Sequence, residues 1–236
     1  MTSILAIETS TPACSVALVV GDKKLSRYSE EPRSHTRLIM GMIDEVLCEA
    51  GLTVDSLDAL AVTVGPGSFT GLRIGFSTVQ GLAFGADIPV IPVSTLEVMA
   101  QTYRRRYSAK IDSTSLVMSL LDARMGEFNC GAYQLDSSGY FTAAIEDQLL
   151  TEEDALLLCE RLKPSVIVGE ANSLFESAET YSHIFQALYP DALDLADIAL
   201  AHFAQGRAVP VDQVDLVYLR GTDAWKKHTP LRAIKP

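Results

Sequence analysis

Two acid-ended apolar runs and one glycine-rich stretch are where this chain has the residue types for chemistry. "ILAIE" ends at Glu8 and continues "TSTPA"; "VMSLLD" ends at Asp122 and continues "ARMGE". An acid at a strand end, followed by a turn of glycines and hydroxyls, can wrap phosphates with backbone N–H groups. The first turn has hydroxyls but no glycine, and the second puts Arg124 and Met125 in the loop. A third segment, "VGEANSLF", has one glycine where an adenosine site offers several. All three fall short, so no cofactor is expected.

The glycine-rich stretch is "GPGSFTGLRIG", Gly65 to Gly75, directly after the apolar "LAVTV". A phosphate loop needs glycine, four residues, then Gly-Lys-Ser/Thr. Here five residues separate Gly65 from Gly71, and Leu72 stands where lysine should be. The dinucleotide pattern fails because Gly71 follows Gly67 one position late, and Pro66 rules out a nucleophile elbow at Ser68. Gly65, Pro66, Gly67, Ser68, Gly71 and Gly75 are therefore expected to form a structural turn into a helix. Ser68 or Thr70 would cap that helix, and Gly71 and Gly75 would open one of its faces to close packing.

The histidines, His35, His183, His202 and His228, include no pair four apart, since Ile39 follows His35 at that spacing. The cysteines, Cys14, Cys48, Cys130 and Cys159, form no Cys-x-x-Cys pair and are expected to be small core residues in a reducing compartment. No metal site and no catalytic residue is expected.

The elements that must position these residues have a repeated layout. Three strands ("SILAIETS" and the two halves of "CSVALVVGDKKLSRYSEE") precede a helix, "SHTRLIMGMIDEVLCEAG", with Ser34 as cap and Gly51 as stop. Then come the strand "LDALAVTVG", the glycine-containing helix, the strand "IPVIPVS" and the helix "STLEVMAQTYRRRY". After the polar "RRRYSAKIDSTS" the pattern restarts with "SLVMSLLDARMGEFNCGAYQL". The first half has the layout of a ribonuclease-H-like lobe. The expected fold class is an α/β protein of two such lobes, the architecture of the actin, sugar-kinase and Hsp70 superfamily, with mixed sheets flanked by helices. The alternative for the restart is that any α/β protein starts its strands this way. Residues 1–110 are expected to form the N-terminal lobe. Residues 111–236 are expected to form a smaller, degenerate C-terminal lobe ending in a basic tail.

The 236 residues carry a formal charge of −11, which disfavours autonomous binding to nucleic acid. No apolar run approaches the roughly 20 residues that span a bilayer, and the N-terminus lacks a signal peptide's basic start, so a cytoplasmic location is expected. "YRRRY" (Tyr103 to Tyr107) and "RGTDAWKKHTPLRAIKP" are basic exceptions, either solvated surface or a contact for RNA or an acidic partner. In the first helix, Leu38, Ile39, Met40, Met42, Ile43, Val46, Leu47 and Ala50 cover an arc of roughly 200°. Either the helix is deeply buried, or it has the sheet on one side and a partner on the other.

The segments "ILAIETSTPACSVAL", "SHTRLIMGMIDEVL", "GPGSFTGLRIG", "GLAFGADIPVIPVSTLEVMAQ", "DARMGE" and "VYLRG..AWKK" together resemble the TsaB family along nearly the whole chain. The resemblance implies the two-lobed actin-like fold. It also implies a non-catalytic role beside the paralogue TsaD, which transfers threonylcarbamoyl from its adenylate to N6 of the adenosine 3′ of the anticodon in tRNAs reading ANN codons. It further implies pairing with TsaD through N-terminal-lobe helices, with TsaE joining the pair, self-association through the same surface, and tRNA contact only through the complex. On this basis Leu38, Ile39, Met42, Ile43 and Val46 are the expected partner interface. Two positions depart from the family pattern: Glu8, where aspartate is common, and Leu216, where proline is usual. The alternative is an active enzyme of the same fold, a small-molecule kinase or a metallopeptidase.

Overall fold

A computed structural model of the chain describes residues 1–107, 112, 114–136, 139–177 and 179–220. In the first lobe, β1 (Ser3–Glu8), β2 (Cys14–Val20) and β3 (Lys23–Ser29) form an antiparallel meander. Helix α1 (His35–Ala50) leads to β4 (Ala59–Gly65), then α2 (Phe69–Ala86), β5 (Val90–Ser94) and α3 (Thr95–Arg106). The second lobe repeats the scheme with β6 (Leu116–Arg124), β7 (Glu127–Leu135), β8 (Phe141–Thr151), α4 (Glu152–Leu162) and β9 (Val166–Glu170). The short helices α5 (Asn172–Ser177) and α6 (Glu179–Ser182), β10 (Phe185–Ala187) and α7 (Ala192–Ala204) come next.

The two sheets have one topology. Their strand orders are β3-β2-β1-β4-β5 and β8-β7-β6-β9-β10, and in each the first strand pairs antiparallel with the second and parallel with the fourth. The chain is thus built of two ribonuclease-H-like lobes with mixed sheets. Central strands β1 and β4 are buried throughout because helices cover both faces. Helices α1 and α2 pack on one face of the first sheet, where Leu5, Ile7, Val16 and Leu18 meet Ile39, Ile43, Val46 and Val79. The other face holds Ile4, Ala6, Ala17 and Ile91 against Leu195, Ile198 and Ala199 of α7.

The break after residue 110 falls outside the described residues, as does the tail beyond residue 220. After β10 the chain returns to the first lobe: α7 covers the first sheet, Val90 and Val209 exchange backbone hydrogen bonds of 2.8 and 2.9 Å, and Val214 is buried in the α1–α2 core. The second lobe therefore ends near residue 188. Apolar periodicity marks a helix but not which sheet it covers. Helix α3 lies between the sheets, Val98 facing the first and Leu96, Met99 and Tyr103 the second.

Capping obeys local chemistry. Gly51 ends α1 with φ 69°, and Thr151 caps α4 by accepting from the Asp154 N–H at 3.2 Å. Ser34 precedes α1, but its hydroxyl donates to the Glu31 carbonyl and caps nothing. Cys14, Cys130 and Cys159 are buried; Cys48, expected in the core, is exposed on α1.

Candidate partner-binding site

The Gly65–Gly75 stretch is shaped by what presses on it. β4 ends at Gly65, whose φ of +120° is unfavourable for side chains, and the Gly65–Pro66 peptide is cis. A Cβ on Gly67 would stand 2.5 Å from the Ser10 carbonyl oxygen. Cβ atoms on Gly71 and Gly75 would collide with the Thr9 carbonyl and hydroxyl. The missing side chains let α2 lie directly on the β1–β2 turn. Ser68 N–H donates to the Ser10 carbonyl at 2.7 Å, and the Thr9 hydroxyl to the Gly71 carbonyl at 2.8 Å. Ser68 Oγ accepts from the Gly71 N–H at 3.2 Å and so caps α2. By contrast, Cβ atoms on Gly81 or Gly85 would meet nothing within 4 Å among the described residues.

The β1–β2 turn is consequently occupied by its own fold. His35 Nε2 lies 2.9 and 3.1 Å from the Thr11 and Ala13 carbonyls, tying α1 to the same turn. Glu8 is fully buried; its Oε1 accepts from the Ser10 N–H at 2.5 Å and the Ser10 hydroxyl at 2.6 Å, while Oε2 has no hydrogen-bond partner among the described residues. Burial raises its pKa to about 7, with the Ser10 hydrogen bonds acting in the opposite direction. The other two segments with residue types for nucleotide chemistry fare no better. Gly169 presses against the Leu120 carbonyl, and the β6–β7 turn projects Met125 outward at 85% exposure.

Residues 214–220 form a strap across the end of β4. Val217 N–H donates to the Val64 carbonyl at 2.7 Å. Arg220 then reaches the second lobe, bonding the Arg124 carbonyl at 2.9 Å and pairing with Glu127.

Beside the strap, an open cleft of about 560 Å³ runs between α1 and α2. Met40, Phe69, Arg73 and Ile74 line it, with Thr36 and Thr78. Met40 and Phe69 are each about half exposed, at 53% and 54%. The Arg73 guanidinium lies 3.6 Å from the Phe69 ring centroid, and its Nε donates to the Tyr218 hydroxyl at 3.4 Å. The Phe69 and Tyr218 rings are 5.4 Å apart.

The structure corrects the expected interface. Ile39, Met42, Ile43 and Val46 are buried in the chain's own core, and Leu38 is half-buried. The wide apolar arc is used up because the first sheet lies beneath α1 and α2 lies beside it. Met40 is the large apolar side chain that α1 does expose. Phe69, Arg73 and Tyr218 complete this outward surface. Phe69 and Arg73 sit one helical turn apart within the Gly65–Gly75 stretch, a spacing that places them on one face. "YRRRY" is not an open basic patch: Tyr103 is buried, Arg105 pairs with Asp191 at 2.6 Å and Asp194 at 2.8 Å, and Arg106 pairs with Asp191 at 3.5 Å.

Among the described residues, no helix is long and apolar enough to cross a membrane. A model of the TsaD family, described as tRNA N6-adenosine threonylcarbamoyltransferase, matches residues 29–197. The chain is 38% identical to the tRNA threonylcarbamoyladenosine biosynthesis protein TsaB of Escherichia coli, over 95% of this chain and 97% of that protein. It is 36% identical to the Haemophilus influenzae protein of the same name, over 95% and 96%. The solved structure of YeaZ from Pseudomonas aeruginosa superposes with a TM-score of 0.80 at 35% identity, covering 93% of this chain and all of that one. With the family model spanning most of the chain and relatives matched nearly end to end, this chain belongs to the TsaB family.

Proposed function

We propose that this chain acts in tRNA threonylcarbamoyladenosine biosynthesis as a non-catalytic subunit that docks TsaD on the cleft between α1 and α2. The observation that carries the reading is the pairing of an internally filled β1–β2 turn with an open, half-apolar cleft beside it. A turn whose carbonyls are held by α2 and His35 leaves poor room for a phosphate. Exposed Met40 and Phe69 suit a protein partner: methionine adapts to a partner's shape, and aromatic residues are enriched at interfaces. Gly81 and Gly85, with open space beside them among the described residues, permit a partner's backbone to come close. The same face would serve a homodimer in isolation, TsaE would join the TsaD pair, tRNA would be met through the complex, and the assembly would work in the cytoplasm.

Mixing the chain with TsaD and measuring the mass of the product tests this. A one-to-one complex is expected, and two separate species would overturn the reading. Met40→Glu should keep the wild-type melting temperature and bind TsaD about 30-fold more weakly, since a charge would be desolvated in the interface, at roughly 2 kcal/mol. Met42→Glu should instead lower the melting temperature, because Met42 is only 9% exposed in the core. Calorimetry with ATP and magnesium should give no stoichiometric micromolar signal.

A further inference from the structure

Arg73 is the one charged residue lining the α1–α2 cleft, and among the described residues it has no carboxylate partner. Its neighbours nonetheless hold it in place. The Phe69 ring lies under the guanidinium at 3.6 Å, and the Tyr218 hydroxyl takes Nε at 3.4 Å. The Nη1 and Nη2 edge is left without a partner among the described residues. A guanidinium set in this way has lost part of its side-chain freedom in advance, and its free edge is a two-pronged donor that matches a carboxylate.

The lining decides what kind of anion this is. The remaining residues are Thr36, Ile39, Met40, Phe69, Thr70, Ile74, Ser77 and Thr78, which are apolar or hydroxylic. A nucleic-acid strand needs several cations in a row, and among the described residues the cleft has one. We infer that Arg73 is the specificity point of this face, receiving a single Asp or Glu carboxylate from an otherwise apolar surface of the partner. Tyr218 is the positioning residue for that contact: it comes from the strap, which is pinned to β4 through Val217 and to the second lobe through Arg220. The second lobe thereby helps set the geometry of a contact made by the first. This inference rests on the docking of TsaD proposed above.

The test is a titration of TsaD into wild type, Arg73→Gln, Arg73→Lys and Tyr218→Phe, with a thermal melt of each chain alone. Wild type that fails to bind overturns the docking reading itself. If wild type binds, Arg73→Gln should weaken binding about 30-fold or more with an unchanged melt. Arg73→Lys should recover little, because an ammonium on a flexible stem cannot present the two-pronged edge. Tyr218→Phe keeps the ring and should cost about threefold. Changing the TsaD surface acids to Lys one at a time should then reveal one site whose replacement weakens wild type but not Arg73→Gln. Arg73→Gln binding TsaD at wild-type strength overturns the inference, as does full recovery by Arg73→Lys or the absence of any TsaD acid coupled to Arg73. If inorganic phosphate or ATP at millimolar concentration protects Arg73 from arginine-specific modification while TsaD does not, the anion is a phosphate and the inference is also overturned.

Discussion

The turn after β1 and the turn after β6 occupy corresponding places in two lobes of one topology, and their surroundings are opposite. Thr9, Ser10 and Thr11 are at most 3% exposed, and Glu8 before them is fully buried. In the second lobe, the Asp122 side chain is 28% exposed, Arg124 81% and Met125 85%. The difference comes from the helix after the next parallel strand. In the first lobe this is α2, eighteen residues long, and Gly67, Gly71 and Gly75 let it rest on the turn. Its counterpart after β9 begins with α5, whose residues NSLFES include no glycine, and the β6–β7 turn stays open. A duplicated fold can thus use one copy of a turn as core and leave the other at the surface, depending on where glycines admit a helix.

The strongest way to break this contrast is to put side chains into both turns. Gly75→Leu should destabilise the chain by about 3 kcal/mol, because its first carbon already collides with Thr9. A Cβ on Gly126 meets no atom of the described residues within 4 Å, so Gly126→Leu should carry mainly the strain of its φ of +73°, about 1 kcal/mol. Chemical denaturation of the two variants compares them; equal losses would remove the packing account. If Gly75→Leu melts like wild type while the reconstituted complex stops modifying tRNA, the stretch is a functional site and not a structural turn.

Glu8 offers the next largest effect. A folded pKa of about 7 against an ordinary 4.5 means that the native state holds a proton that the unfolded chain releases. This contribution is fully present below pH 4.5, declines as pH rises toward 7, and is gone above it. Its size is of order 3 kcal/mol. Glu97, also raised to about 7 by burial, adds to the same slope. Glu8→Gln should flatten the Glu8 share and make the variant more stable than wild type at pH 8. A stability profile from pH 4.5 to 8 with the wild-type slope intact would show that Glu8 is ionised in the fold.

The smallest effect tests whether the lobes also have something in common. Ser68 and Thr151 each cap the next helix by accepting an N–H three residues on, both at 3.2 Å. Ser68→Ala and Thr151→Ala should each cost about 1 kcal/mol in thermal melts. A much larger loss at Ser68 would mean that its side chain also supports the packed turn.

The repeated strand-and-helix order is readable from the sequence because apolar period and glycine punctuation are local properties. So is the unsuitability of the Gly65–Gly75 spacing for a phosphate loop. The direction of α1 is not readable. Its arc counts how many apolar residues need cover, but the cover comes from β2, β3 and α2, which sequence spacing does not place. Ile39, Met42, Ile43 and Val46 therefore look partner-facing in the sequence although the chain itself buries them. The arginines of "YRRRY" mislead for a related reason: their acids, Asp191 and Asp194, lie more than eighty residues away in sequence. Arg73 is only half readable: its spacing from Phe69 is local, while Tyr218 reaches it from 145 residues further on.

The return of α7 to the first sheet has a consequence for the order of events at the ribosome. Ile4, Ala6, Ala17 and Ile91 are made early, yet the residues that cover them, Leu195, Ile198 and Ala199, are made near the end. The second lobe closes within one continuous stretch, so it can finish while the first still exposes an apolar sheet face. Domains usually mature from the N-terminus during synthesis. In this chain the first-made lobe is expected to mature last. A nascent chain halted after residue 190 should therefore present that face to chaperones, and one extended through the strap should not.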